Sequence, residues 1–169
     1  LVRGASKGEG LGNQFLGHIR ATDAIIQVVR CFDDTDITHV DGTIDPVRDI
    51  ETINIELVLA DYQSVEKRIE RLKKLSKGGD KETLFHLAVA EKCLSWLGAG
   101  NPIRTGTWDD DERASIKDAQ LITAKPSLFV CNVDESGLQG NAYCTRVEEY
   151  AKRENAAVVR ICAKVEAEI

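Results

Sequence analysis

A chain of 169 residues with 43% hydrophobic content can bury one core, or one domain carrying an insertion, and 30% charged with 5% aromatic residues describes a soluble, helix-rich protein. A net charge of −6 argues against a generally basic binder of nucleic acid or membrane, while leaving room for a local basic patch. No apolar run approaches the roughly 18 residues of a membrane span and no signal-peptide pattern opens the chain, so a cytoplasmic monomer without membrane contact is expected.

The first sixteen residues lack an initiator Met and carry Gly at positions 4, 8, 10 and 12. Such a loop, passing directly into the amphipathic stretch Asn13 to Asp23, exposes backbone N–H groups and changes shape cheaply. It reads as a mobile loop near a phosphate, with the expectation that the chain begins inside it. Ala24 to Phe32 is short, β-branched and almost continuously apolar, which predicts a buried parallel strand. An acidic loop, Asp33 to Asp41, follows.

Asp45-Pro46 then opens a helix, with Asp as N-cap and Pro at the first helical position. Ile50, Ile53, Leu57 and Ala60 recur at 3-4-3 spacing, and Val65, Ile69 and Leu72 continue the stripe. Gly78-Gly79 ends this helix and Asp80 caps the next, which carries Leu84, Leu87, Leu94 and Leu97 on one face. Residues 46–99 are therefore expected to form an antiparallel, coiled-coil-like helical hairpin inserted into another fold. Beyond it come a helix over Asp109 to Leu121, a strand over Pro126 to Cys131, a helix over Tyr143 to Asn155 and a strand over Ala156 to Cys162. Strands alternating with helices imply a parallel sheet with right-handed crossovers, whose ligands bind beyond the carboxyl ends of the strands. Asn132 and Ala163 lie just past two such ends.

Five cysteines, at 31, 93, 131, 144 and 162, form no C-x-x-C pair, and Cys31, Cys131 and Cys162 sit in or beside apolar strands. An odd, scattered set points to a reducing compartment rather than a disulfide frame. No His, Cys or carboxylate cluster has metal-ligand spacing, so no metal site is expected in this segment. No G-x-x-x-x-G-K-[ST] occurs either, so the chain carries no phosphate cradle of that type and no Ser/Thr ligand for Mg²⁺. The glycines could also open a dinucleotide loop, but their G-x-G-x-G spacing departs from G-x-G-x-x-G.

Four runs taken in order carry a family resemblance. They are Gly10-Leu-Gly-Asn-Gln-Phe-Leu16, Asp45-Pro-Val-Arg-Asp-Ile-Glu51 with Ile53 and Glu56-Leu57, Lys77-Gly-Gly-Asp-Lys81, and Asn132-Val-Asp-Glu135. Together they resemble the Obg-like ATPase (YchF) family of P-loop NTPases over essentially the whole chain. The resemblance implies an α/β fold: a partial G-domain parallel sheet from residues 1–45 and 100–169, with residues 46–99 as the inserted helical hairpin. It also implies a segment lacking the family's P-loop and its C-terminal TGS domain. Intact members are expected to bind and hydrolyse ATP or GTP with Mg²⁺, whose ligands would lie upstream of Leu1, and to associate with ribosomes. The isolated segment is expected to be inactive.

Site residues follow from the matched positions. Asn132, Val133 and Glu135 occupy the place of the base-reading N-x-x-D loop, where Lys and Asp stand in guanine-specific relatives. A glutamate moves the carboxylate by one methylene and loses the paired bond to guanine, an interaction typically worth a few kcal/mol. Read without the family, N-x-x-E is a turn in which Asn132 satisfies local backbone. Cys162, Ala163 and Lys164 match the last nucleotide loop, whose backbone N–H groups would face the base. Arg3, Gly4, Gly8, Gly10 and Gly12 match the switch loop, with Leu1 in place of the usual water-orienting Gln. The catalytic group is left unassigned.

The hairpin carries a further signal. Lys67, Arg68, Arg71, Lys73, Lys74, Lys77 and Lys81 place seven of the chain's 22 Lys and Arg within fifteen residues, around Gly78-Gly79. This is either a contact for ribosomal RNA or a solvated helix face with pairs such as Glu70–Lys74. The second reading of the whole chain is accordingly a non-catalytic RNA- or ribosome-binding module working through its basic hairpin.

Overall fold

A computed structural model describes residues 3–7, 12–33 and 43–169. Leu1, Gly8 and Gly10 of the glycine-rich run, and positions 34–41 of the acidic loop, lie outside the described residues. The elements in order are α1 (Gly12–Arg20), β1 (Ile25–Arg30), α2 (Pro46–Leu75), α3 (Lys81–Gly98), α4 (Asp110–Asp118), β2 (Ser127–Asn132), α5 (Ala142–Arg153), β3 (Ala157–Ile161) and α6 (Ala163–Glu166). The chain divides into two compact units, Leu1–Asp23 with Ile53–Lys125, and Ala24–Thr52 with Pro126–Ile169. No helix among the described residues is long and apolar enough to cross a membrane.

The second unit is built on an all-parallel sheet in the order β1-β2-β3, with Val28 beside Val130 and Val130 beside Val159. Asn141 starts α5 by accepting the Cys144 N–H at 2.9 Å. From there Cys144, Val147, Tyr150 and Ala151 recur at helical spacing and pack with Val29, Cys31, Phe129 and Cys131. Ile50, in the first turns of α2, joins the same core.

The sequence expectation of a strand buried on both faces does not hold for β1. Burial alternates along it: Val29 is 4% exposed, whereas Ile26 is 61% and Val28 65% exposed. A strand's period of two sends alternate side chains to opposite faces. Here only the face turned to α5 and the start of α2 is covered among the described residues.

The first unit is organised by the hairpin. Asp45 caps α2 by accepting the Arg48 N–H at 3.1 Å. The chain leaves the helix through a 3-10 turn, Ser76–Gly78, and Gly79 at φ +75, a left-handed value that favours glycine. Asp80 accepts both the Thr83 N–H and its hydroxyl to start α3. Val58, Val65, Ile69 and Leu72 of α2 then meet Val89, Ala90, Cys93 and Leu97 of α3.

Leu84 departs from the expected stripe and is 45% exposed. Ile103, Trp108, Ile116 and Leu121 share this core, so the hairpin is not a free-standing pair of helices. The capping box of Asp109 and Glu112 fixes the start of α4, and His86 Nδ1 meets Ser115 Oγ at 2.7 Å between α3 and α4.

Candidate functional site: a base-sized cavity and a clamped loop

The carboxyl ends of β2 and β3 are held together by one side chain. Asn132, the last residue of β2, accepts the Ala163 N–H on its Oδ1 at 3.1 Å, and the Val133 N–H donates to the Ile161 carbonyl at 2.8 Å. Asn132 therefore braces the loop after β2 against the loop after β3. The Ala163 N–H, expected from sequence to face a base, is engaged by this brace instead.

Asp134 caps the 3-10 turn Glu135–Gln139, accepting the Gly137 N–H at 2.8 Å and the Ser136 hydroxyl at 2.9 Å. Its carboxylate is thus committed to the turn. Glu135 is exposed, with no hydrogen-bond or ion-pair partner among the described residues.

These loops enclose a cavity of about 560 Å³, lined by Phe32, Asp33, the run Asn132 to Ser136, Cys162 and Lys164. The volume falls within the roughly 300–1,000 Å³ of small-molecule sites. Val133 lines it yet is only 2% exposed and belongs to the sheet core, so it forms wall rather than a cover lying across a ring. Cys162 is likewise buried, and Lys164 is exposed.

Sequence motifs did not single out Phe32 and Asp33 for this site. Both directly follow β1, so the rule that ligands bind beyond strand ends would have found them. The Arg30 guanidinium stacks 5.1 Å from the Phe32 ring centre, and the Tyr143 hydroxyl donates to Asp33 at 2.7 Å. That bond comes first in raising the Tyr143 hydroxyl above its ordinary pKa, with burial second.

In the first unit, the described part of the glycine-rich run is a tight turn, Gly4 at φ +86 leading into a 3-10 turn over Ala5–Lys7. Glu56 of α2 clamps it. Glu56 Oε1 accepts the Gly4 N–H at 2.7 Å, and Oε2 accepts the Ser6 N–H at 2.9 Å and the Ser6 hydroxyl at 2.7 Å. Burial acts to raise the carboxyl's pKa, but the bonds from Ser6 and Gly4 outweigh it and hold the group below the usual carboxylate range. Arg3 is exposed and Gly12 is buried at the start of α1.

Lys67, Arg71, Lys73, Lys74, Lys77 and Lys81 are all exposed, and Arg68 is half-buried. They occupy the end of α2, the turn beyond it and the first residue of α3. Lys73 lies 3.8 Å from Glu91.

No family model matches the chain. Among curated proteins, the ribosome-binding ATPase YchF of Haemophilus influenzae is 53% identical over 169 residues, covering 100% of this chain and 47% of that protein. The ribosome-binding ATPase YchF of Bacillus subtilis is 48% identical over 172 residues, covering 100% of this chain and 47% of its own length. Among solved structures, that of the Schizosaccharomyces pombe YchF GTPase superposes with a TM-score of 0.79 at 36% identity, covering 90% of this chain and 43% of that one. The chain spans about half the length of the curated relatives it matches, and with this identity along its full extent and this shared fold it belongs to the YchF, or Obg-like, family.

Proposed function

We propose that this chain supplies the base-recognition half of a purine-nucleotide site in a YchF-type NTPase, and that the intact protein hydrolyses ATP or GTP with Mg²⁺. The observation that carries the reading is the Asn132 brace beside a cavity that ends in Glu135. A purine needs a flat slot with a few fixed polar groups, and Phe32, Asn132 and Glu135 offer an aromatic wall, a held amide and a carboxylate without a partner among the described residues. The phosphate-binding and Mg²⁺-binding groups would come from elsewhere in the protein, since the chain contains no G-x-x-x-x-G-K-[ST]. The relatives' names divide between ATPase and GTPase, so base choice is the property to measure. Titration of the full-length protein with fluorescent ATP and GTP analogues is expected to show adenine nucleotides bound at least as tightly as guanine ones.

We also infer that the exposed basic end of the hairpin contacts ribosomal RNA. It concentrates positive charge in a chain of net charge −6, and curated relatives are named ribosome-binding. Phosphate contacts of this kind weaken steeply with salt. In the full-length protein, changing Lys73, Lys74 and Lys77 together to Glu is expected to abolish ribosome co-sedimentation at moderate salt while leaving nucleotide affinity unchanged. All three side chains are exposed, so the hairpin core stays intact. Unchanged sedimentation would mean that the charges serve only as a solvated face.

A further inference from the structure

The scattered cysteines offered no metal spacing in sequence, yet the fold gathers three of them. Cys31 follows β1, Cys131 lies in β2 and Cys144 is the third residue of α5. Their sulfurs all lie within 4.8 Å of one another, and each residue is 0% exposed. Asn141 fixes the arrangement, donating from Nδ2 to the Cys31 carbonyl at 2.8 Å and accepting the Cys144 N–H on Oδ1 at 2.9 Å. The Cys31 N–H donates to the Asn132 carbonyl at 2.8 Å, which locks the two strand ends together. Cys93 stands apart from the trio, with burial pushing its thiol up to about 11.

We propose that Cys31, Cys131 and Cys144 form a three-sulfur site for a trivalent thiophilic metalloid, with arsenite as its representative ligand. Geometry and charge both point there. Thiolate bonds of about 2.3 Å in a pyramidal three-coordinate shell place the sulfurs roughly 3.5 Å apart, so the side chains must draw inward by about an ångström from spacings of up to 4.8 Å. Three thiolates carry three negative charges. The charged residues whose fields reach Cys131 are Glu148 and Arg160, and these pair with each other at 3.0 Å. Bound by three thiolates, a monovalent or divalent ion would leave a buried net charge with nothing among the described residues to offset it, which is unfavourable. A trivalent centre gives a neutral complex. A three-coordinate centre with a lone pair also needs no fourth ligand, and the group contains three.

The reaction balances without an oxidant. Arsenous acid, As(OH)₃, meets three thiols; three As–O bonds break and three As–S bonds form. Each thiol proton leaves with a hydroxyl as water, and arsenic stays trivalent. Because the sulfurs are sealed from solvent, binding follows local opening and is slow.

The test is native mass spectrometry of the full-length protein, kept reduced by a phosphine and titrated with arsenite. The expected product carries one arsenic and has lost three hydrogens, and proteolytic mapping assigns it to Cys31, Cys131 and Cys144. Cys131→Ser is expected to remove the three-hydrogen product and to weaken binding by at least about a hundredfold, through loss of one arm of the chelate. Cys93→Ser should change neither. Cys144→Ser serves as a second variant if Cys131→Ser disturbs the near-ultraviolet dichroism of the fold. An adduct that loses fewer hydrogens, persists in both variants, maps to Cys93 or Cys162, or never forms during prolonged incubation would show the trio to be core packing alone. Uptake of Cu(I) or Cd²⁺ without uptake of arsenite would overturn the charge argument and the proposal with it.

Discussion

Replacing Asp61 by Ala is expected to destabilise the protein by about 3 to 5 kcal/mol, because two buried N–H groups lose their acceptor at once. Asp61 is 0% exposed on α2. Its Oδ1 accepts the Ile122 N–H at 2.9 Å, and its Oδ2 accepts the Thr123 N–H at 2.7 Å and the Thr123 hydroxyl at 2.6 Å. Thr123 Oγ1 in turn accepts the Ile103 N–H at 3.1 Å, so one carboxylate organises two 3-10 turns against the hairpin.

Burial raises the Asp61 carboxyl above its ordinary value of 3.8, despite the opposing bonds from Thr123 and Ile122. A raised folded-state value means that its titration-linked stability is fully present below the unfolded value and is lost as pH rises through the folded one. The stability advantage of the wild type over Asp61→Asn should therefore shrink as pH rises from the ordinary value of 3.8 through the raised folded one. Urea unfolding of both proteins across that range reads the difference. A constant difference would contradict the raised carboxyl, and an Asp61→Ala cost below about 1 kcal/mol would show that the network does not hold the turns.

Glu56→Ala is expected to release the turn over residues 3–7. Its three accepted bonds are charge-assisted and tie Gly4 and Ser6 to α2. Their joint loss should cost about 2 to 3 kcal/mol locally, or roughly a hundredfold faster amide exchange at Gly4 and Ser6. The sign with pH is opposite to that of Asp61. The Glu56 carboxyl is held below its ordinary value of 4.5, so its contribution is present above that value and is lost as pH falls through the lowered folded one. Exchange measured by mass spectrometry should thus rise in the wild type at low pH, after correction for intrinsic rates, and stay high throughout in Glu56→Ala. Protection of Gly4 and Ser6 that survives the substitution would mean that the turn holds itself.

Local signals made the element order legible. Asp45-Pro46, Asp80 and Asp109 cap helices as their residue types require, and the apolar runs of β1, β2 and β3 lie within one or two residues of their expected bounds. Partners distant in sequence were not legible. Nothing near Glu56 or Asp61 announces that Ser6 or Thr123 will meet it, since those bonds span 50 and 62 residues. The cysteine trio was hidden for the same reason. The openness of Ile26 and Val28 is invisible in an apolar run, because the residues of a strand do not say whether one face or both are covered.

The cavity was legible only in part. Asn132 and Glu135 were marked by their motif and by the strand before them. Phe32 was not, and the burial of Val133 rules out a lysine there as a clean test of base choice, since the charge would enter the core.

The most direct measurement is therefore an equilibrium titration of the full-length protein and of its Glu135→Asp variant with fluorescent ATP and GTP analogues. The wild type should bind the adenine analogue at least as tightly as the guanine one. The variant should shift toward guanine, as the shorter carboxylate regains its reach to the two guanine donors. A wild-type preference for guanine of about tenfold, near 1.4 kcal/mol, with no shift on substitution, would contradict base reading by this loop.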